Sequence, residues 1–227
     1  MAEATTNGQC LFCKGTFSKQ TMAKHLVACE KRKTTIKGAS RQQIFHLLVE
    51  GRYAPEYWIH LEASGSATLQ DLDGLLRNLW LECCGHLSAF HLNGRTYSTT
   101  AMGVFDKADA DEFGDEDMNV ALNKILRPKM KFRHEYDFGT TTELELKVLA
   151  EREGLMKRGG LLVVARNEAP VYKCGVCKKI ATQICSQCVF EGNPFVCDDC
   201  AEDHECGEEM LLPVVNSPRI GMCGYAG

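Results

Sequence analysis

The pattern of apolar and polar positions predicts that the main folded segment of the chain begins near Gln42. Residues 43–50 and 57–62 are rich in apolar and aromatic side chains, and Gly51 and Pro55 lie between these two runs. Short runs of this kind, bounded by turn residues, predict two neighbouring β-strands.

The clearest helix signal lies between residues 69 and 80. Leucines and Trp80 recur there at the three- and four-residue spacing of one helix face. Thr68 and Asp71, three residues apart at the start of this run, have the arrangement of a capping box, which satisfies backbone donors at a helix start. We therefore predict one main helix with a buried face.

Shorter elements are predicted after this helix. Residues 89–98 contain Asn93-Gly94, a tight-turn signal that predicts a hairpin. Residues 106–117 hold seven acids, which predicts a solvated loop. The remaining elements are expected in this order: a short helix at 119–127 and strands at 131–138, 142–149 and 161–165.

This order of elements predicts an α+β fold, a small mixed sheet with one main helix packed on it. The order would suit a β-grasp-like arrangement. Two zinc-binding modules are expected to flank that domain. The predicted boundaries are a zinc finger at 1–30, a basic linker at 31–41, the central domain at 42–167 and a double-zinc module at 168–227.

The thirteen cysteines among 227 residues change the expected chemistry. The sequence shows no apolar run of signal-peptide or membrane-spanning length, so we expect a reducing, cytoplasmic compartment and no membrane partner. In that compartment, closely spaced cysteines bind metal more often than they form disulfides.

Four residues near the N-terminus have the spacing of a ββα zinc finger: Cys10, Cys13, His25 and Cys29. A two-residue gap lets both thiolates of a turn reach one ion. His25 and Cys29, four residues apart, lie on one helix face and can complete a tetrahedron. We predict a structural zinc ion here.

Positive charge is concentrated around this finger. Residues 1–41 hold eight Lys or Arg and two acids, although the whole chain carries −4. Such a patch favours contact with nucleic acid. The alternative is a solvated lysine-rich surface on a finger that only stabilises the fold. The candidate contact residues are Lys14, Lys19, Lys24, Lys31, Arg32 and Lys33.

The C-terminal segment contains three cysteine pairs, each with a two-residue gap, followed by one histidine. The predicted ligands are Cys174, Cys177, Cys185, Cys188, Cys197, Cys200, His204 and one further cysteine. Eight ligands suffice for two tetrahedral zinc ions. An interleaved arrangement resembles B-box and related cross-brace fingers, and a sequential arrangement is the alternative.

Cys206 and Cys223 compete for the last ligand position. We predict Cys223, because flanking glycines permit the tight turn of a metal knuckle, whereas Cys206 lies only two residues from His204. The expected total is three zinc ions. Closed sets of four protein ligands leave no position for water, which indicates structural rather than catalytic ions.

The central segment, over roughly residues 42–165, resembles the Ri-plasmid ORF-three-like family, also called insertion-element passenger proteins. The matching motifs are Ala67–Leu72, His86–Phe90 with Gly94 and Tyr97, Tyr136–Gly139, and the tail motifs Asn216–Arg219 and Gly221–Tyr225. The resemblance implies a mixed α+β fold and an association with mobile elements, without a settled biochemical activity.

Together these observations predict a non-enzymatic zinc-binding protein of mobile-element or defence context. Its basic finger is expected to contact nucleic acid, and its acidic C-terminal module is expected to contact protein. The first alternative is a protein-only adaptor. The second is a hydrolase that uses His134, Glu135 and Asp137 near His86 and His91.

Overall fold

The computed structural model describes residues 6–33, 39–98 and 116–227, with Lys33 as backbone only. Most of the predicted acidic loop at 106–117 lies outside these residues. The chain forms two compact units. The first is Met1–Leu76 with Leu87–Glu168, and the second is Arg77–His86 with Ala169–Gly227.

The first unit is built mainly of strands. The strands are β1 (Asn7–Cys10), β2 (Thr16–Ser18), β3 (Ser40–Gly51), β4 (Trp58–Ser64), β5 (Ser88–Leu92), β6 (Arg95–Ser98), β7 (Glu116–Asp117), β8 (Lys131–Tyr136), β9 (Thr142–Met156) and β10 (Leu161–Asn167). The helices are α1 (Lys19–Ala28), α2 (Leu69–Leu76) and α3 (Leu122–Ile125), with a 3-10 turn at Glu30–Lys33.

All ten strands join one mixed sheet in the order β2-β1-β10-β4-β3-β9-β8-β5-β6-β7. Every neighbouring pair is antiparallel except β6 with β7. The prediction of a small mixed sheet with one main helix, in an order that would suit a β-grasp-like arrangement, is therefore wrong. The sheet is larger because β1 of the predicted finger pairs with β10, and long-range pairing of this kind leaves no local sequence signal.

Strand β4 lies in the middle of the core. All seven of its residues are buried, as expected for a strand covered on both faces. Helix α2 follows it and begins with the predicted capping box: the Thr68 backbone N–H donates to Asp71 Oδ2 at 2.8 Å, and the Asp71 N–H donates to Thr68 Oγ1 at 3.0 Å. Leu69, Leu72 and Leu76 are buried along one face of this helix.

The second unit holds a smaller sheet and several short turns. Its elements are a π-helical segment at Arg77–Leu81, β11 (Gln183–Cys185), a 3-10 turn at Cys188–Phe190, β12 (Phe195–Val196), α4 (Asp198–Ala201), a 3-10 turn at Glu208–Met210 and β13 (Leu211–Pro213). The three strands pair in the antiparallel order β12-β11-β13. Elements this short bury little apolar surface, so the unit needs cross-links for stability.

No helix among the described residues has the length and apolar character needed to cross a bilayer.

Candidate metal centres

Cysteine and histidine side chains form four groups within the described part of the chain, and each group brings four ligand atoms within 4.8 Å of one another. The groups are Cys10, Cys13, His25 and Cys29 (site A); Cys174, Cys177, Cys197 and Cys200 (site B); Cys185, Cys188, His204 and Cys206 (site C); and Cys83, Cys84, His86 and Cys223 (site D). All thirteen cysteines are free thiols and belong to one of these groups. With three histidines they supply sixteen donors, the number that four tetrahedral ions require.

Site A lies where β1 ends and α1 turns back towards it. The Lys14 backbone N–H donates to the Cys10 carbonyl at 2.9 Å, and Lys14 has the left-handed φ of 64° that this tight turn needs. The Gly15 N–H donates to Cys13 Sγ at 3.4 Å. Ser18 caps α1 by accepting from the Thr21 N–H, which fixes the helix that carries His25.

The ligand atoms of site A have the separations of a tetrahedral site. Cys10 Sγ lies 3.9 Å from Cys29 Sγ, and Cys13 Sγ lies 3.3 Å from His25 Nε2. Thiolates bound to one zinc ion at about 2.3 Å are about 3.8 Å apart. The His25 ring stacks on Phe17 at 3.7 Å, which holds its orientation. Site A can therefore hold one metal ion without large rearrangement.

Site B repeats the turn geometry of site A. The Lys178 N–H donates to the Cys174 carbonyl at 3.1 Å, and Lys178 has a left-handed φ of 66°. Cys197 comes immediately before α4 and Cys200 lies within it, so the helix brings the second pair to the first. Cys177 Sγ lies 3.4 Å from Cys197 Sγ.

Site C holds the second cysteine pair of the module and the histidine predicted for it, but its fourth ligand is Cys206. Cys188 Sγ lies 3.7 Å from His204 Nε2 and 3.6 Å from Cys206 Sγ. The assignment of Cys223 to this site does not match the structure. The short spacing of His204 and Cys206 does not prevent them from binding one ion, because the chain turns back at this point: the Gly207 N–H donates to the His204 carbonyl at 3.0 Å, and Gly207 adopts a φ of 84°.

Sites B and C share the C-terminal segment in the interleaved order, one of the two arrangements that the sequence allows. The first and third cysteine pairs form site B, and the second pair forms site C with His204. Strand β11 ends at Cys185 of site C, and its neighbour β12 ends just before Cys197 of site B. The pairing of β11 with β12 and β13 therefore fixes the positions of the two sites relative to each other.

Site D was not predicted as a metal site, and it takes in the remaining cysteine of the tail. Cys84 Sγ lies 3.7 Å from Cys223 Sγ, and His86 Nε2 lies 3.2 Å from each of these sulfur atoms. The sequence signal was the pattern Cys-Cys-Gly-His at residues 83–86, which lacks the two-residue gap of common zinc motifs.

In sites A, B and C some thiols have a lowered pKa and others a raised pKa. Backbone N–H groups, above all that of Cys177, lower the pKa of Cys174 to about 6. A side-chain hydrogen bond from Cys177 raises the pKa of Cys200 to about 12, burial raises that of Cys188 to about 12, and contact with Cys83 raises that of Cys84 to about 12. Sulfur atoms this close can all be thiolates only when a cation lies among them, so the donor chemistry fits a bound metal.

The predicted nucleic-acid residues are divided between internal ion pairs and solvent. Lys19 pairs with Glu50 and donates to the Pro55 carbonyl, and Arg32 pairs with the buried Glu62. Lys14, Lys24 and Lys31 are exposed, and the side chain of Lys33 lies outside the described residues.

The residues of the hydrolase alternative have separate roles. His134 is fully buried and contacts Asp73 at 2.7 Å, whereas Glu135 forms an ion pair with His91 at 3.1 Å. Asp137 accepts backbone N–H groups of the following turn and adopts a φ of 66°. The structure therefore does not bring these residues together in one acid–base site.

Comparison with known proteins gives no family assignment. No family model matches the chain, and no curated protein matches it. One solved structure with similarity is a protein of unknown function, MM3350, from Methanosarcina mazei Go1, with 16% identity over 55% of this chain and 67% of that chain and a TM-score of 0.41. The resemblance to the Ri-plasmid ORF-three-like family and its mobile-element context stays a prediction.

Proposed function

We propose that this chain is a non-enzymatic zinc protein whose C-terminal module, residues 169–227, binds a basic, partly apolar segment of another protein. Zinc is the metal that suits sites A, B and C, because tetrahedral sets of cysteine with one or no histidine are its preferred structural ligands. With four protein ligands each site is closed to water, so the ions stabilise the fold and do not activate a substrate.

The observation that carries the proposal is the exposure of large apolar side chains on a module that zinc would make rigid. Val176 is 72% exposed and immediately precedes Cys177, and Phe190 is 70% exposed and lies two residues after Cys188. A rigid apolar side chain loses little conformational entropy when it binds, which favours its use at an interface.

Charge supports the choice of a basic partner. Seven acidic residues lie between Asp198 and Glu209, in the stretch that contains the last ligands of sites B and C. Four thiolates around one zinc ion add a further net negative charge at site B. A surface of this sign attracts a lysine- or arginine-rich segment and repels nucleic acid.

The experiment is affinity capture by the full zinc-loaded chain after nuclease treatment, followed by binding measurements with the captured protein. Val176→Ser combined with Phe190→Ser is expected to weaken that binding at least tenfold. The matched control is Tyr53→Ser, which removes a side chain 77% exposed in the first unit and is expected to leave the affinity unchanged. Equal affinity of wild type and double variant would refute the docking role.

Nucleic-acid binding by the finger is a second candidate, favoured by the outward face of α1. In ββα fingers the base-contacting side chains lie just before the helix and at its third and sixth residues, which are Ser18, Thr21 and Lys24 here. Thr21 and Lys24 are exposed, and Lys14 is exposed nearby. The internal ion pairs of Lys19 and Arg32 remove two of the six predicted contacts.

The test of this candidate uses Lys14→Asn with Lys24→Gln, since deletion of residues 1–41 would also remove β1 and β2 from the sheet. Affinity for a short duplex and its salt dependence should both fall in the double variant, because two positive charges that face the duplex are lost. Salt-independent or unchanged binding would exclude the finger as the contact.

A further inference from the structure

Of the four groups, site D alone was not predicted from the cysteine spacing and has no part in the proposed function. It joins two distant stretches of the second unit: Cys83, Cys84 and His86 follow the π-helical segment, and Cys223 lies in the tail. Its four donors are the last of the sixteen, so no cysteine of the chain remains outside a group once it is included.

The loop that carries three of these ligands is held in place from within the unit. Arg77 forms an ion pair with Glu82 at 2.7 Å and donates to the His86 carbonyl at 2.6 Å. Glu82 in turn accepts the Gly85 N–H at 2.6 Å, and Gly85 has a φ of 73°. These contacts hold the backbone that carries the two cysteines and the histidine.

The tail is fixed against the same loop by buried polar contacts. Ser217 Oγ donates to the Trp80 carbonyl at 2.6 Å, and Arg219, which is fully buried, donates to Cys83 Sγ at 3.5 Å. A buried guanidinium beside a ligand sulfur is the kind of outer partner that supports a metal-bound thiolate. Cys223 then presents its sulfur from a left-handed backbone, with φ of 48°, between Gly221 and Gly224.

We propose that site D is a fourth zinc site, which ties the tail to residues 83–86 and exchanges its metal faster than the other three. Three cysteines and one histidine are a structural zinc set, and their four ligand atoms lie within 4.8 Å of one another. Cys84 Sγ is 3.7 Å from Cys223 Sγ, the separation of two thiolates on one ion, and 3.0 Å from Cys83 Sγ, so the Cys83 side chain must move slightly to bind. Among the four groups found in the described residues, this one alone has no buried ligand: Cys84 and Cys223 are exposed, and Cys83 and His86 are half-buried. Exposed ligands allow a chelator to approach and displace them singly.

The first experiment counts zinc in the full chain by native mass spectrometry in reducing buffer. We expect four zinc ions in the wild type, three in Cys223→Ser and four in the neighbouring control Met222→Leu. Three ions in both wild type and Cys223→Ser would overturn the fourth site and leave the proposed function intact. Four ions in Cys223→Ser would also overturn it, whereas fewer than three in the wild type would contradict the proposed function instead.

The second experiment needs no variant and so does not depend on how well one folds. Thiol alkylation with mass mapping is expected to leave Cys84 and Cys223 unmodified in the zinc-loaded chain despite their exposure, and to label them first after a chelator is added. Equal labelling with and without chelator would contradict zinc binding at site D. Labelling that begins at another site would contradict its faster exchange.

Discussion

Cys206 supplies the fourth ligand of site C, where its sulfur lies 3.6 Å from that of Cys188. Replacing it with serine should remove one zinc ion and destabilise the C-terminal unit severely, since structural zinc contributes about 10 kcal/mol to the folding of a small module. Native mass spectrometry and protease resistance of residues 169–227 measure both effects. The control Glu205→Gln changes the exposed neighbouring residue and should retain all zinc. Full zinc retention by Cys206→Ser would refute the assignment.

His46 and His60 form a buried pair on β3 and β4, with His46 Nε2 2.9 Å from His60 Nδ1. Burial, followed by the positive charges of Arg32 and Arg152, lowers the pKa of His46 to about 4. Burial, and then the charge of a protonated His46, lowers the pKa of His60 to about 3. Both imidazoles are therefore neutral in the folded chain, and one N–H bridges the two rings.

This pair predicts a loss of stability in acid. Each histidine binds a proton more readily when unfolded, near pH 6.5, than when folded, so its stabilising effect is complete above about pH 6.5. That effect decreases as the pH falls from about 6.5 towards 4. Ring-nitrogen NMR shifts of the zinc-loaded chain should show both residues neutral at about pH 5.5. Protonation of either ring at that pH, with the fold intact, would contradict the account.

Metal ligands can be predicted from the sequence where neighbouring residues of one turn or helix form the site. The pair Cys10 and Cys13 lies within one turn, and His25 and Cys29 lie within one helical turn, so local geometry fixes each pair. The choice between Cys206 and Cys223 depends on where the tail lies in three dimensions. Buried Ser217 and Arg219 determine that position, and no local spacing reveals it.

At the scale of elements, site A supports the edge of the large sheet. Cys10, Cys29 and Leu26 are buried together with Trp58 of β4 and Val164 of β10. The finger is therefore packed into the core of the first unit.

This packing predicts that loss of the site A metal spreads into the sheet. In Cys13→Ser, amide hydrogen exchange in β10, residues 161–167, should increase at least tenfold, because β1 no longer protects that strand. Lys14→Asn is the matched control, since asparagine tolerates the left-handed φ of 64° at that position. Increased exchange confined to residues 6–33 would indicate an independent finger.

We also predict that the tail becomes accessible to protease when site D loses its Cys223 ligand. Trypsin cleaves after arginine, and Arg219 is fully buried in the intact unit. Cys223→Ser should release residues 220–227 much faster than wild type in limited proteolysis, while Met222→Leu should behave as wild type. The same slow release from both variants would show that site D does not hold the tail.

The individual elements of the first unit were more predictable than their assembly. The runs at 43–50 and 57–62 correspond to β3 and β4, and the Thr68 capping box begins α2. Alternation and capping act over a few residues, so the sequence displays them. The ten-stranded order depends on pairing between strands that are more than 100 residues apart, such as β1 with β10, and periodicity carries no information about such partners.

At the scale of the whole molecule, metal ions are expected to be the cross-links in place of disulfides, because all thirteen cysteines are free and belong to four groups. Native mass spectrometry of the full chain, purified in reducing buffer, tests this most directly. We expect a mass increment of four zinc ions, which disappears in acid. An unmodified chain that stays folded without metal, or masses of disulfide-linked chains, would contradict it.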